Sequence, residues 1–367
     1  MDRRDFLKGS SAAAIGLGSA AAAAKAADDA RALAAPAIIP QRRTLRMASL
    51  WPDAVTGPGD HVRRFARRME AASDGRWTIE IAKEPAVGAN AFKAVMTGEA
   101  DLYAGHEHAH RELHPAFSYF AGLPCGTGLN IDELDAWLVA AGGQDLWDDL
   151  AGAFNMKSLV IGHSGRAHGL WTRMQIEQAA DFKDKRIAVL GIAADVLQAH
   201  GAIPIQDALP STVALIASRE IDGADIIGPS EFTHLPHAAA TANQKPVYYV
   251  THSINHGGYA LTLGLRRSLW DVLANSERIM LSALASEALL ASRADAHADA
   301  RMTPHIYDMA AQFAAFNEVR ISYRLADQFA SIAAPIVADI AGHDEHSRRI
   351  NASYMAFKGI GAPPPTA

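Results

Sequence analysis

The chain has 367 residues, 49% hydrophobic and 20% charged, with a formal net charge of −6 at pH 7. Those proportions suit a globular protein of about two domains, and the acidic balance without a long basic stripe argues against nucleic-acid binding. Cys125 is the only cysteine, which excludes an intrachain disulfide.

The opening residues stand apart. Arg3 and Arg4 precede Phe6, Leu7 and Lys8, an Ala/Gly/Leu run follows, and Ala24-Lys25-Ala26 ends it in a small-x-small cleavage pattern. The order resembles a bacterial twin-arginine export signal. The run is weakly apolar and short for a membrane span of about 20 residues, which sets aside an anchor. Residues 1–26 are therefore expected to be an export signal, residues 27–43 a linker, and the mature chain periplasmic.

Thr44 to Ser49 alternates as a strand ending at Trp51-Pro52. After a loop broken by Gly57-Pro58-Gly59, Val62, Phe65, Ala66, Met69 and Ala72 recur at helical spacing, with Arg63, Arg64, Arg67 and Arg68 on the solvated face. Trp77 to Ala82 is a second strand, so the chain opens βαβ. Asn90 to Thr97 reads as a helix closed by Gly98, and Asp101 to Ala104 as a strand entering His106-Glu107-His108. Pro115-Ala116-Phe117 leads toward a helix from Ile131 to Ala141; Gly142-Gly143 breaks it before Leu146 and Trp147. Leu159 to Gly162 is a strand running into His163-Ser164-Gly165-Arg166.

Asp181 to Pro229 organises the rest. It reads as a strand from Arg186 to Leu190, a turn at Gly191, and a helix carrying Val196 and Leu197. A short strand from Ala202 to Ile205 follows, then a helix from Ser211 to Arg219. Alternation of this length implies crossover connections and a largely parallel sheet, and open α/β sheets place ligands at the carboxyl ends of their strands. Val247 to Val250 and Ala260 to Leu265 are further strands. From Ser268 the pattern is helical: Leu269 to Ala296, Asp308 to Phe329, Ile332 to Ile340, and Ser347 to Lys358.

At this point the chain resembles the TRAP-transporter periplasmic substrate-binding proteins, in particular those that take α-keto and related organic acids. The resemblance rests on an ordered series. It comprises Pro115-Ala116-Phe117 with Phe120 and Pro124, Asp135-Ala136-Trp137, Gly142-Gly143-Gln144 and Leu146-Trp147-Asp148. It continues with Val196-Leu197, His200-Gly201-Ala202, Ile221-Asp222-Gly223-Ala224, Gly228-Pro229 and Ser353-Tyr354-Met355-Ala356-Phe357. It implies an α/β fold of two lobes, of the type II-like periplasmic binding-protein class. Residues 44–162 would be mainly lobe 1, and 163–265 mainly lobe 2 with crossover strands. Residues 266–367 would be a helical region packing on both lobes. It implies no enzyme but a receptor that closes over an organic acid and delivers it to membrane permease subunits, with a homodimer through the C-terminal helix.

The chain departs from that pattern in its site. The strand arginine that would pair with a ligand carboxylate falls at Ala188, with Arg186 two residues earlier on the same strand face. The positions that would hold a cation beside the ligand are Ala167, Asp225 and Ile226, so a cation near Asp225 would have few ligands. The remaining candidates for the pocket are Trp51, His106, Glu107, His108, Arg166, Asp225, Ser230, His252 and His256. Arg166 is expected to replace the missing charge, and Trp51 to wall the cleft. His106, Glu107 and His108 read either as a polar loop toward the ligand or as transition-metal ligands. The second reading gives the alternative function, a periplasmic metal-dependent enzyme or metal-binding protein. Against it, the chain carries no nucleophile elbow, Walker loop or dinucleotide fingerprint in a strand–turn–helix context.

Overall fold

The computed structural model describes residues 42–51, 58–86, 88–165, 169–206, 215, 218–226, 247–251, 254–255, 257–313 and 316–359. The export signal, nearly all of the linker, and most of the helix expected from Ser211 to Arg219 lie outside them. Residues 43–359 form an α/β architecture on two sheets.

The first sheet has the order β2-β1-β3-β10-β4. Its strands are β1 (Arg43–Ser49), β2 (Trp77–Ile81), β3 (Leu102–Gly105), β4 (Met156–His163) and β10 (Ala260–Arg266). The second has the order β11-β9-β5-β8-β6-β7. It holds β5 (Gly169–Thr172), β6 (Arg186–Ala188), β7 (Ile203–Ile205), β8 (Gly223–Ile226), β9 (Val247–Thr251) and β11 (Phe316–Arg320).

The strands of the stretch from Asp181 to Pro229 pair in parallel as expected, but both sheets are mixed as wholes. β1 pairs parallel with β2 and β3, but β10 is antiparallel to β3 and β4. Likewise β6 is parallel to β7 and β8, whereas β5 is antiparallel to β8 and β9. The physical reason lies in the connections. β10 and β5 are the strands that arrive from the other lobe, so they enter at the edge where their neighbours end and must run the opposite way.

The first lobe is built around aromatic packing. Phe120 stacks between Trp137 and Trp147, with ring centroids 5.5 and 5.0 Å away, and Tyr354 meets Trp137 edge-on at 5.1 Å. Gly143 is required here: a Cβ would fall 2.7 Å from the Trp137 ring. The helix Ile131–Ala140 starts on a capping box, with Asn130 accepting from the Asp132 and Glu133 N–H groups while Glu133 accepts from the Asn130 N–H. The helix Pro58–Ala72 buries Val62, Phe65 and Met69. Its arginines are less free than a solvated face implies, because Arg64 pairs with Asp295 and Arg68 with Glu287 of the long helix Asn275–Phe313.

The C-terminal region differs from its sequence reading at one place. The helix expected over 308–329 is interrupted: Asn275–Phe313 ends, Phe316–Arg320 pairs in parallel with β9, and helix Tyr323–Gly342 follows. Phe316 and Val319 stand three apart, a helical spacing rather than a strand's alternation, so only the pairing with β9 reveals this strand. Tyr323–Gly342 is long and apolar enough to cross a membrane by length and composition. It nonetheless buries a stripe of Leu325, Phe329, Ala333, Val337 and Ile340, with Phe329 against Phe182 and His200 of the second lobe. The last helix, Glu345–Lys358, packs on the first lobe instead. Tyr354 Oη accepts the Leu129 N–H, Ser353 Oγ accepts from Trp137 Nε1, and Asn351 Oδ1 accepts from Tyr119.

Candidate ligand cleft

The edge at which β1, β3 and β4 end is also where antiparallel β10 begins. It therefore gathers Trp51, His106, His163 and Tyr259. All four are buried. His106 lies 5.0 Å from Tyr259 and 6.1 Å from Trp51 between ring centroids; His108 lies 6.0 Å from His106 and 6.1 Å from Tyr259. Ser49 fixes the Trp51 backbone, its Oγ donating to the carbonyl at 2.9 Å and accepting the N–H at 3.1 Å.

From the second sheet, the carboxyl ends of β6 and β8 bring Gly191 and Asp225. Gly191 has φ +62°, and a Cβ there would fall 2.5 Å from His108 Nδ1. Only glycine permits that approach. Arg111, on the first lobe, donates to the Gly191 carbonyl at 2.8 Å and pairs with the Asp195 carboxylate. Asn255, between β9 and β10, donates to Asp225. The two crossing segments brace each other: the Ser164 N–H donates to the Tyr259 carbonyl and the Tyr259 N–H to Ser164 Oγ, both at 2.9 Å.

The imidazoles here are kept neutral. Burial, then the neighbouring His108 and His110, holds His106 well below the ordinary histidine range. Burial followed by the Arg111 charge lowers His108 to about 3, and burial followed by Arg293 lowers His163 to about 3. His163 Nδ1 accepts the Gly165 N–H at 3.0 Å, a bond its neutral form requires. Among the described residues, Trp51 Nε1, His106 Nδ1 and His108 Nδ1 are buried with no hydrogen-bond partner on another residue. Each such group costs about 1–3 kcal/mol while unsatisfied, which marks this edge as a candidate for a polar ligand.

The structure brings together Trp51, His106 and His108, and places Asp225 at the end of β8, where it accepts from Asn255. It turns Glu107 elsewhere. That carboxylate is fully buried, accepting from Tyr103 Oη at 2.9 Å and bonding His110 Nδ1 at 2.9 Å, so both oxygens are committed to the lobe interior and the expected ligand contact is withdrawn. Arg186 is exposed at the amino end of β6, the end away from Gly191, with its N–H bound to Asp222. It cannot stand in for an arginine at Ala188, itself buried within the strand. Arg166, Ser230, His252 and His256 lie outside the described residues. Tyr259, Asn255 and Arg111 were not singled out from sequence. For Tyr259 a signal existed, its position after Gly257-Gly258 and just before a strand; Arg111 had none, because its partners are 80 and 84 residues away.

A cation beside the ligand would find few side-chain donors among these residues. Ala167 offers no side-chain donor, and one Asp225 oxygen already accepts from Asn255. Nor do His106 and His108 join a metal cluster: among the described residues, the group of three donors close enough to share an ion is His114, His343 and Asp344, within 4.8 Å. There His114 Nδ1 accepts the Ala116 N–H and Nε2 bonds Asp344. Ligation through Nε2 would put the proton on Nδ1, against that N–H, so this trio is a structural joint. Burial, then Asp225, pushes the Cys125 thiol up to about 12, which disfavours the thiolate that a nucleophile needs.

No protein-family model matches the chain. A monocarboxylate 2-oxoacid-binding periplasmic protein of Nostoc sp. (strain PCC 7120) is 26% identical over 189 residues, and the match spans about half of this chain and half the length of that relative. Among solved structures, a TRAP transporter solute-binding protein from Bordetella bronchiseptica, described with calcium and picolinate, superposes with a TM-score of 0.77 at 19% identity, covering 87% of this chain and 92% of that one. A TRAP solute-binding protein from Pseudoalteromonas atlantica with sodium and pyruvate gives 0.73 at 19% identity over 87% and 94%. Another from Colwellia psychrerythraea with calcium and pyruvate gives 0.74 at 17% over 87% and 95%. The chain therefore has the two-lobe α/β fold of the TRAP periplasmic solute-binding proteins.

Proposed function

We propose that this protein is the periplasmic substrate-binding subunit of a TRAP-type secondary transporter, capturing a small organic acid between its two sheets and delivering it to the membrane permease. The observation that supports this reading is the clustering of Trp51, His106 and His108, each with an unpartnered ring nitrogen, at the strand ends where His108 meets Gly191 of the second sheet. An oxygen-rich acid supplies such acceptors, and the similar proteins are binding proteins for such acids by their descriptions. Arg166 follows Gly165 directly in the first crossing segment and is proposed to balance the acid's charge; Ser230, His252 and His256 are proposed as further contacts. Export is proposed to use the twin-arginine signal of residues 1–26. The metal-dependent enzyme alternative loses its footing, since Glu107 is committed to the core and, among the described residues, His106 and His108 share no three-donor group. A homodimer through the C-terminal helix is proposed as well: Asn351, Ser353 and Tyr354 complete their own lobe, while Phe357 near the helix end stays exposed.

A thermal-shift screen with pyruvate, malonate and picolinate tests the reading. Binding to the folded state alone stabilises by about 2.7 kcal/mol at a hundredfold excess over Kd. At least one of these acids is expected to raise the melting temperature in a saturable way. A flat response to all three, from protein with an intact melting transition, would contradict organic-acid capture.

A further inference from the structure

The helix Ile192–Ala199 begins in the interior. Gly191, Ile192 and Ala193 are all buried, and no side chain caps the start. A helix begins with N–H groups that have no intrahelical acceptor and carries a partial positive charge there; a buried start without a cap wants an external acceptor, and an anion suits it. A second observation points the same way. His108, 4% exposed, presents its unpartnered Nδ1 to Gly191, the residue at the helix start.

We propose that the start of helix Ile192–Ala199 and the His108 imidazole together form the seat for one carboxylate of the captured acid. The inference rests on the organic-acid reading above and names the groups that recognise the acid. Neutral His108, in its Nδ1–H tautomer, donates to one carboxylate oxygen while the Ile192 and Ala193 N–H groups donate to the other; the Ala194 N–H is already bound to the Gly191 carbonyl at 3.1 Å. Asp195 in the first turn would repel that anion. Arg111 removes the obstacle by pairing with Asp195 and holding the Gly191 carbonyl from the opposite lobe. Arg111 is thus a positioning residue: it neutralises the seat's own carboxylate and keeps the helix start against His108.

Calorimetric titration of pyruvate, malonate and picolinate into wild type and variants tests this, with melting curves to confirm folding. His108→Phe is expected to weaken the tightest of these acids at least tenfold, and His108→Gln, which keeps a donor, to weaken it less. Arg111→Ala should weaken it severalfold, and Asp195→Ala added to Arg111→Ala should restore most of the loss, because the repelling charge leaves with it. A latch that merely held the lobes together would show no such restoration. Both residues of that pair are part-exposed, so the cycle stays readable even if His108→Phe fails to fold. Wild-type affinity in both His108→Phe and Arg111→Ala would overturn the seat and leave organic-acid capture standing. Absence of binding by wild type to all three acids would overturn both.

Discussion

His163 shows how one buried side chain ties the crossing segments to pH. Its Nδ1 accepts the Gly165 N–H while its own N–H donates to Ser292 Oγ, and burial lowers it from 6.5 to about 3. The unfolded chain therefore takes up a proton as pH falls through 6.5 that the folded chain refuses until about 3. The stability that depends on neutral His163 is present above pH 6.5 and is lost progressively between 6.5 and about 3, at a slope on the order of 1.4 kcal/mol per pH unit at most. His108 adds in the same window and direction. Urea unfolding at pH 7 and pH 5 should show the loss, and His163→Asn, which keeps an acceptor but does not titrate, should reduce its slope. An unchanged slope in that variant would mean His163 does not carry it.

Among elements, the C-terminal helix illustrates how a short terminus completes a lobe. Asp344 caps it by accepting the Ser347 N–H at 2.8 Å, and its other oxygen bonds His114 Nε2 at 2.8 Å. His114 in turn accepts the Ala116 N–H, so one chain of bonds fastens the helix to the Pro115–Phe117 turn. Removing a cap costs about 0.5–2 kcal/mol, and the lost His114 bond adds to it. Asp344→Ala is expected to lower stability by about 1–3 kcal/mol and Asp344→Asn, which caps well, by less; denaturant midpoints at constant slope measure both. This level also shows what sequence could reveal. The helices Asn90–Thr97 and Ile131–Ala140 were legible because their periodicity and end signals are local. β11 was not, because five residues between two long helices become a strand only through pairing with β9. Glu107 failed for a related reason: adjacency to His106 and His108 placed it near the cleft, but a tight 3₁₀ turn at Glu107–His110 directs it to Tyr103 and His110 in the interior. The missing arginine at Ala188 was visible in sequence. The meeting of His108 with the start of helix Ile192–Ala199 was not, because a contact across 83 positions is a property of tertiary structure.

At the scale of the whole molecule, two mixed sheets present the ends of their strands to each other and exchange chain through the segments after β4 and β9. That arrangement puts neutral imidazoles, an indole and Tyr259 on one side, and a helix start and Asp225 on the other, with Arg111 spanning between them. Without a strand arginine at Ala188, the acid's charge is proposed to fall to Arg166 and its oxygens to hydrogen-bond donors, where such bonds to charge are worth about 1.5–3 kcal/mol each. The central claim is that a small organic acid is held between these edges. A crystal structure of the mature protein grown with the acid that stabilises it most tests it directly. The predicted result is the acid enclosed between the sheets, its oxygens within about 3 Å of donors drawn from Trp51, His106, His108 and the start of helix Ile192–Ala199. An acid bound on the outer surface, or held between the sheets with none of those donors in contact, would contradict it.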